Sequence, residues 1–136
     1  MKSGVFVFGC ALLMTASAFA AGSSSQSAWV GVWRGEVNGQ PTVTLTLADD
    51  SGELGGTVVF DMMEREAGGS AHVVIEPHVL LRPRLEGKTL TFRAMRLDHS
   101  LRPMDFSVVM DTHGNAQIHC LNCGPDAPTA ELAKEQ

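Results

Sequence analysis

Tyrosine is missing from this chain altogether, and tryptophan occurs only twice, as Trp29 and Trp33. The first absence removes the phenolic hydroxyl that would orient a polar ligand inside an apolar pocket. A basic excess is missing too: 10 Lys and Arg stand against 15 Asp and Glu, a formal net charge of −5. That balance argues against nucleic acid or an anionic membrane as the main partner. Convincing helical periodicity is confined to the last few residues, and no apolar run after residue 20 approaches the length of a spanning helix. There is no G-x-S-x-G and no convincing Ser, His and Asp set. "GKT" at Gly87 to Thr89 lacks a phosphate-loop context, because Arg82 occupies the position five residues before it and the surroundings read as a hairpin. An enzyme is the least favoured class.

What is present begins with a leader. Lys2 supplies a positive start, Val5 to Met14 form a short apolar run, and Ala18-Phe19-Ala20 gives the small-x-small pattern read by signal peptidase. Residues 1–20 are therefore expected to be a cleaved signal peptide, with cleavage after Ala20 or Ala21 and a periplasmic or secreted product. Cys10 lies inside the apolar run behind Phe8, a poor context for lipidation. Removing 20 of 136 residues leaves 116, enough for one small domain, and the loss of Lys2 moves the net charge from −5 to −6. The small polar stretch 21–28 reads as a disordered lead-in.

From Trp29 onward the pattern has period two. Val43, Leu45 and Leu47 alternate with Thr42, Thr44 and Thr46, and "GELGGTVVFD" continues with Val58 and Phe60 on one side. "ADDSG" supplies hairpin chemistry between them, with Gly52 suited to a positive φ. Leu90, Phe92 and Ala94 share a face, as do Phe106, Val108 and Met110, and "DTHGN" makes another turn before "AQIHCL". Pro77 in "AHVVIEPHVLL" predicts a short strand followed by a bend. "TAELAKEQ" reads as a short helix capped by Thr129. Strands at intervals of about 8–12 residues predict an all-β sandwich or barrel of seven or eight strands. The domain proper is placed at 29–124, with a C-terminal tail at 125–136.

Gly31-Val32-Trp33 resembles the G-x-W on the first strand of calycins, the group of lipocalins, fatty-acid-binding proteins and avidins. "WVGVWRGEVNGQPTVTLTL", "GELGGTVVF" and "LLRPRLEGKTLTF" together resemble a set of small secreted bacterial proteins with a lipocalin-like barrel and no assigned function. The resemblance covers roughly Trp29 to Met110. It implies a single antiparallel up-and-down barrel, plugged at one end by Trp33, with Gly31 and Gly35 allowing close backbone approach. It also implies a late arginine over the tryptophan. The last segment, "CLNCGPDAPTAELAKEQ", has none, so Arg93, Arg96 or Arg102 would have to serve, or the contact is absent. Gly31-x-Trp33-x-Gly35 also resembles nitrobindin, a haem-binding calycin, which implies a late histidine ligand such as His113 or His119. Val37 stands where that pattern has a third glycine, 116 residues are few for ten strands, and His113 reads better as a turn residue, so haem binding is the weaker reading.

The sharpest local feature is Cys120-Leu121-Asn122-Cys123. In an oxidising compartment these two cysteines read best as a local disulfide pinning the last strand to the tail. A redox C-x-x-C normally opens a helix, whereas this one follows a strand. A metal site with His119 and His113 lacks a second well-spaced ligand pair. The five histidines, at 72, 78, 99, 113 and 119, show no ligand spacing and read as surface residues. Asp49 and Asp50 diverge on a turn, and Asp61, Glu64, Arg65 and Glu66 form a solvated loop. No catalytic residue, metal or cofactor is assigned.

Two functions remain. A non-enzymatic binding module would take a small apolar molecule at the mouth opposite Trp33, against Val43, Leu45, Phe60, Phe92, Phe106 and Val108. A packed structural or protein-interaction barrel would be filled by those same side chains, since eight strands enclose just enough room for either. The bulk of Phe60, Phe92, Phe106 and Met110 leans toward a small cavity or none. Met62 and Met63 would sit near the mouth, and alternation from Leu90 turns Arg96 inward.

Overall fold

The computed structural model describes residues 23–37, 39–96 and 102–136. The expected leader, Cys10 and His99 lie outside the described residues, as do the side chains of Met62 and Arg96. A short helix, α1 (Ser23–Trp29), precedes eight strands: β1 (Gly31–Val37), β2 (Gln40–Asp50), β3 (Glu53–Arg65), β4 (Ala71–Glu86), β5 (Thr89–Arg96), β6 (Met104–Met110), β7 (Ala116–Cys120) and β8 (Thr129–Lys134). Each strand pairs antiparallel with the next, and β8 returns to β1, so the sheet closes into an up-and-down barrel.

Alternation places the core. Val43, Leu45 and Leu47 on β2, Val58 on β3, Leu90, Phe92 and Ala94 on β5, and Phe106 and Val108 on β6 are all buried. Their sequence neighbours point outward, as a closed sheet with one wet face requires. The β2–β3 hairpin turns through Ser51 and Gly52, with φ of 57° and 94°, and pairs Asp50 with Glu53. Two successive positive φ values match the twist of the flanking strands.

The tail is not a helix. Residues 129–134 form β8, with Ala130 and Leu132 buried and Thr129, Glu131 and Ala133 exposed. Helix propensity in "TAELAK" is weak beside the ladders that β8 makes on both sides, to β7 and β1, and the apolar face it adds to the core. The barrel therefore extends beyond residue 124 into the segment expected to be a tail.

Nor does Pro77 bend the chain, because β4 runs unbroken through it. Pro77 faces Val59 on β3, while the β5 ladder begins only at His78 with Arg96. Among the described residues Pro77 has a ladder partner on the β3 side alone, and a proline is accommodated where its missing N–H costs no ladder bond. Pro83 sits in the irregular register between Leu81 and Arg84, beside Arg82 at φ 51°.

The expected lead-in is ordered in part. Helix α1 carries Trp29 to the end of the barrel, where the indole is 1% exposed. At the other end β3 and β4 pair as far as Arg65 and Ala71. On the outer face of this hairpin Met63, Val73 and Ile75 are 61%, 57% and 66% exposed.

Candidate functional site: a barrel closed at one end and open at the other

Trp33 closes one end. Its ring is 1% exposed and lies 5.6 Å from that of Trp29, and its Nε1–H donates to the Trp29 carbonyl at 2.8 Å. Lys134, the β8 partner of Trp33, holds Nζ 5.7 Å from the Trp33 ring centroid and donates to the Ala28 carbonyl at 2.9 Å. A lysine thus provides the late cation over the tryptophan, where sequence reasoning had looked for an arginine. Lys134 reaches this place because residues 129–134 form a strand, whose register with β1 sets it beside Trp33. Gly35 supports the plug, since a Cβ there would stand 2.6 Å from both Leu132 and Val43 side chains. At Gly31, φ is 135° and a Cβ would meet Lys134 Cε at 2.8 Å.

Above this plug Leu45, Leu47, Leu90, Val108 and Leu132 fill the barrel. Beyond them the interior opens into a cavity of about 650 Å³, with Val37, Pro128 and Ala127 at its mouth and Val43, Phe60 and Phe106 in its wall. The aromatic rings do not block it. Phe106 stacks on Phe60 with centroids 5.4 Å apart and on Phe92 at 5.5 Å, which gathers the three rings into one row along the wall. Ala130 and Ala127 on the β8 side of the wall leave room that larger residues would occupy. The bulk that suggested a filled barrel is present, but on one side. Met110 belongs to the opposite end, paired with Ala116.

Three of the six residues expected to touch a ligand, Val43, Phe60 and Phe106, line this cavity. Leu45, Phe92 and Val108 do not: they are 0%, 4% and 0% exposed and form the packed layer beneath and behind it.

The wall also holds polar groups that sequence reasoning missed. His78 is 1% exposed, the one buried polar or charged residue among those described, and it meets Phe60 edge-on at 5.3 Å. It was expected at the surface, yet Leu80 lies two residues on and is buried in the same phase, which is the signal that places His78 inside. Its Nδ1 lies 3.1 Å from the Glu76 carbonyl oxygen, while Nε2 is sealed from water and has no hydrogen-bond partner among the described residues. Thr42 Oγ1 is in the same condition. Gly35 faces Val43 and Glu36 faces Pro41, so Thr42 is the extra residue of a bulge. A bulge re-aims side chains, and here it brings a residue of the outward-facing threonine set into the cavity wall. Among the described residues the charged groups that line the cavity are Asp61, Glu76, Arg102 and Asp126.

Cys120 and Cys123 are joined by a disulfide, with Cα atoms 5.6 Å apart, and both line the cavity. The segment between them is clasped to β6. Asn122 Oδ1 accepts from the Asp105 backbone N–H at 2.9 Å, and its Nδ2 donates to Asp105 Oδ2 at 3.2 Å and to the Pro103 carbonyl at 3.3 Å. Arg93 donates to Asp105 Oδ1 at 2.8 Å, and this hydrogen bond first, then the carboxylate's charge, raises the guanidinium's pKa. The covalent link and the Asn122 clasp hold the rim of the mouth.

The remaining histidines are elsewhere. His113 lies in the exposed β6–β7 turn and His119 on the outer side of β7, with Nδ1 3.3 Å from Thr129 Oγ1, so neither resemblance-implied haem ligand faces the interior. His72 lies 3.8 Å from both Glu64 and Glu66 on the hairpin. Among the described residues no group of three or more His, Cys, Asp or Glu could hold a metal ion. No protein-family model matches the chain, and no curated protein is similar enough to stand as a relative.

Proposed function

We propose that this chain is a secreted, lipocalin-like binding protein that carries or senses a small apolar molecule without acting on it chemically. The observation that supports this reading is the cavity of about 650 Å³, blind at the Trp33 end and open at the other. Its volume falls within the range of about 300–1,000 Å³ typical of small-molecule sites, and its wall combines apolar side chains with few polar ones, as such sites do. A barrel with a solely structural role would be stabilised by filling this space, because an empty apolar volume forfeits dispersion contacts. The leader pattern and the rim disulfide support an extracytoplasmic location. The test is native mass spectrometry of protein expressed with its own N-terminal segment and purified without reductant. A defined non-covalent mass excess over the denatured chain supports the carrier, and its absence in protein from every source would count against it.

A second reading rests on the exposed Met63, Val73 and Ile75 of the β3–β4 hairpin, an apolar strip on the outer face of the sheet. Such strips serve protein contacts, so this barrel would capture a partner with its outside while its interior stays empty.

A further inference from the structure

Inside the cavity wall, one group restricts what a ligand must offer. A backbone carbonyl accepts and never donates, so the 3.1 Å contact with the Glu76 oxygen places a hydrogen on His78 Nδ1. In the neutral ring, Nε2 is then a bare acceptor, and no described residue donates to it. A buried acceptor left unpaired is costly, and the cost is recovered when a donor arrives. Thr42 Oγ1, the other unpaired polar atom of this wall, is able to donate or accept. The rest of the described wall is mainly apolar, with Val43, Phe60, Phe106 and Ile118 among its residues, which favours an uncharged body.

We propose that the cavity selects a neutral apolar molecule carrying a hydrogen-bond donor, above all a hydroxyl, and seats that donor on His78 Nε2; this rests on the binding-protein reading above. The stacked pair of Phe60 and Phe106 in the wall favours a planar aromatic body, which stacks on rings at little cost in side-chain order. Phe60, whose ring lies 5.3 Å from the imidazole, is the neighbour whose movement would open a path to Nε2. Phe60 is only partly buried and borders the open cavity, so it has space for that movement.

The experiment is a fluorescence titration of the oxidised protein at neutral pH with 2-naphthol, 2-methoxynaphthalene and 2-naphthoate. The ether keeps the oxygen and the ring but has no donor, and the carboxylate adds negative charge. The expected result is saturable binding, with 2-naphthol roughly tenfold tighter than either analogue, about the worth of one hydrogen bond to a buried unpaired atom. His78→Phe should bring 2-naphthol down to the ether's affinity and leave the ether's affinity in place. Should that variant not fold, ¹⁵N resonances of the wild-type imidazole give the same information: Nε2 should shift with 2-naphthol and not with the ether. Equal saturable affinities for 2-naphthol and the ether overturn the donor preference and leave the binding-protein reading intact. Tightest binding of 2-naphthoate overturns it as well, in favour of an anion site. No saturable binding of any of the three overturns both.

Discussion

The Lys134 ammonium lies 5.7 Å from the Trp33 ring centroid and also donates to the carbonyl of Ala28, so one side chain of the last strand ties down both the plug and the helix beneath it. The last strand thus holds helix α1 against the barrel. The Trp33 indole answers by donating to the carbonyl of Trp29 on the same helix.

This arrangement predicts graded losses on urea denaturation. Trp33→Ala removes a fully buried aromatic and should cost about 3–5 kcal/mol. Lys134→Ala loses a cation–π contact and one hydrogen bond, roughly 1–2 kcal/mol together, and Lys134→Arg should restore part of it. A denaturation midpoint for Trp33→Ala close to the wild type's would show that the indole is not the plug.

Much of this fold was legible from alternation. Val43, Leu45 and Leu47 face inward as their spacing requires, and Ser51-Gly52 makes the turn that "ADDSG" predicts. The errors share one cause: local chemistry overruled by the closure of the sheet. "TAELAK" has a helix-like composition, but only as β8 does it complete the barrel, and β4 runs unbroken through Pro77, whose ladder among the described residues is with β3 alone. Leu45, Phe92 and Val108 lie outside the cavity lining for a related reason. Alternation tells which face a residue is on, not its height along the barrel axis, so Leu45 and Val43 look alike in sequence and lie in different layers. His78 was overlooked because a polar residue within a long strand carries no marker apart from the phase it shares with Leu80.

The rim makes a second prediction. The loop closed by Cys120 and Cys123 is short, so replacing both by serine should cost about 1–3 kcal/mol, the low end for a disulfide. In protein recovered from an oxidising compartment neither thiol should react with maleimide before reduction, and labelling of both would contradict the disulfide as a native feature.

Asn122 should behave as part of the same clasp. Asn122→Ala deletes its links to Asp105 and Pro103, which predicts a loss of roughly 1–2 kcal/mol and faster amide exchange in residues 121–128. Exchange unchanged in that segment would show that the disulfide alone holds the rim.

Acid should loosen the β6–β7 turn late. Desolvation is the largest single influence on Asp111 and raises its pKa, but the backbone N–H groups of His113, Asn115 and Gly114 and the charge of His113 together outweigh it. The folded-state pKa lies below the ordinary carboxylate value, so the turn's contribution is fully present above that value and is lost as pH falls through the depressed one. Asp111→Asn should remove this acid-dependent part of the stability curve, and an unchanged acid limb would contradict the assignment.

The central claim is that the open half of the barrel receives a ligand, and the most direct measurement is titration of an uncharged, environment-sensitive dye into the wild type and Ala130→Phe. Ala130 is buried in the cavity wall, so the added ring occupies the space a ligand would use. One dye per wild-type chain, with binding lost in a variant that circular dichroism shows to be folded, is the result this account predicts. Dye uptake that never saturates, or that survives the filling of the cavity, would contradict it.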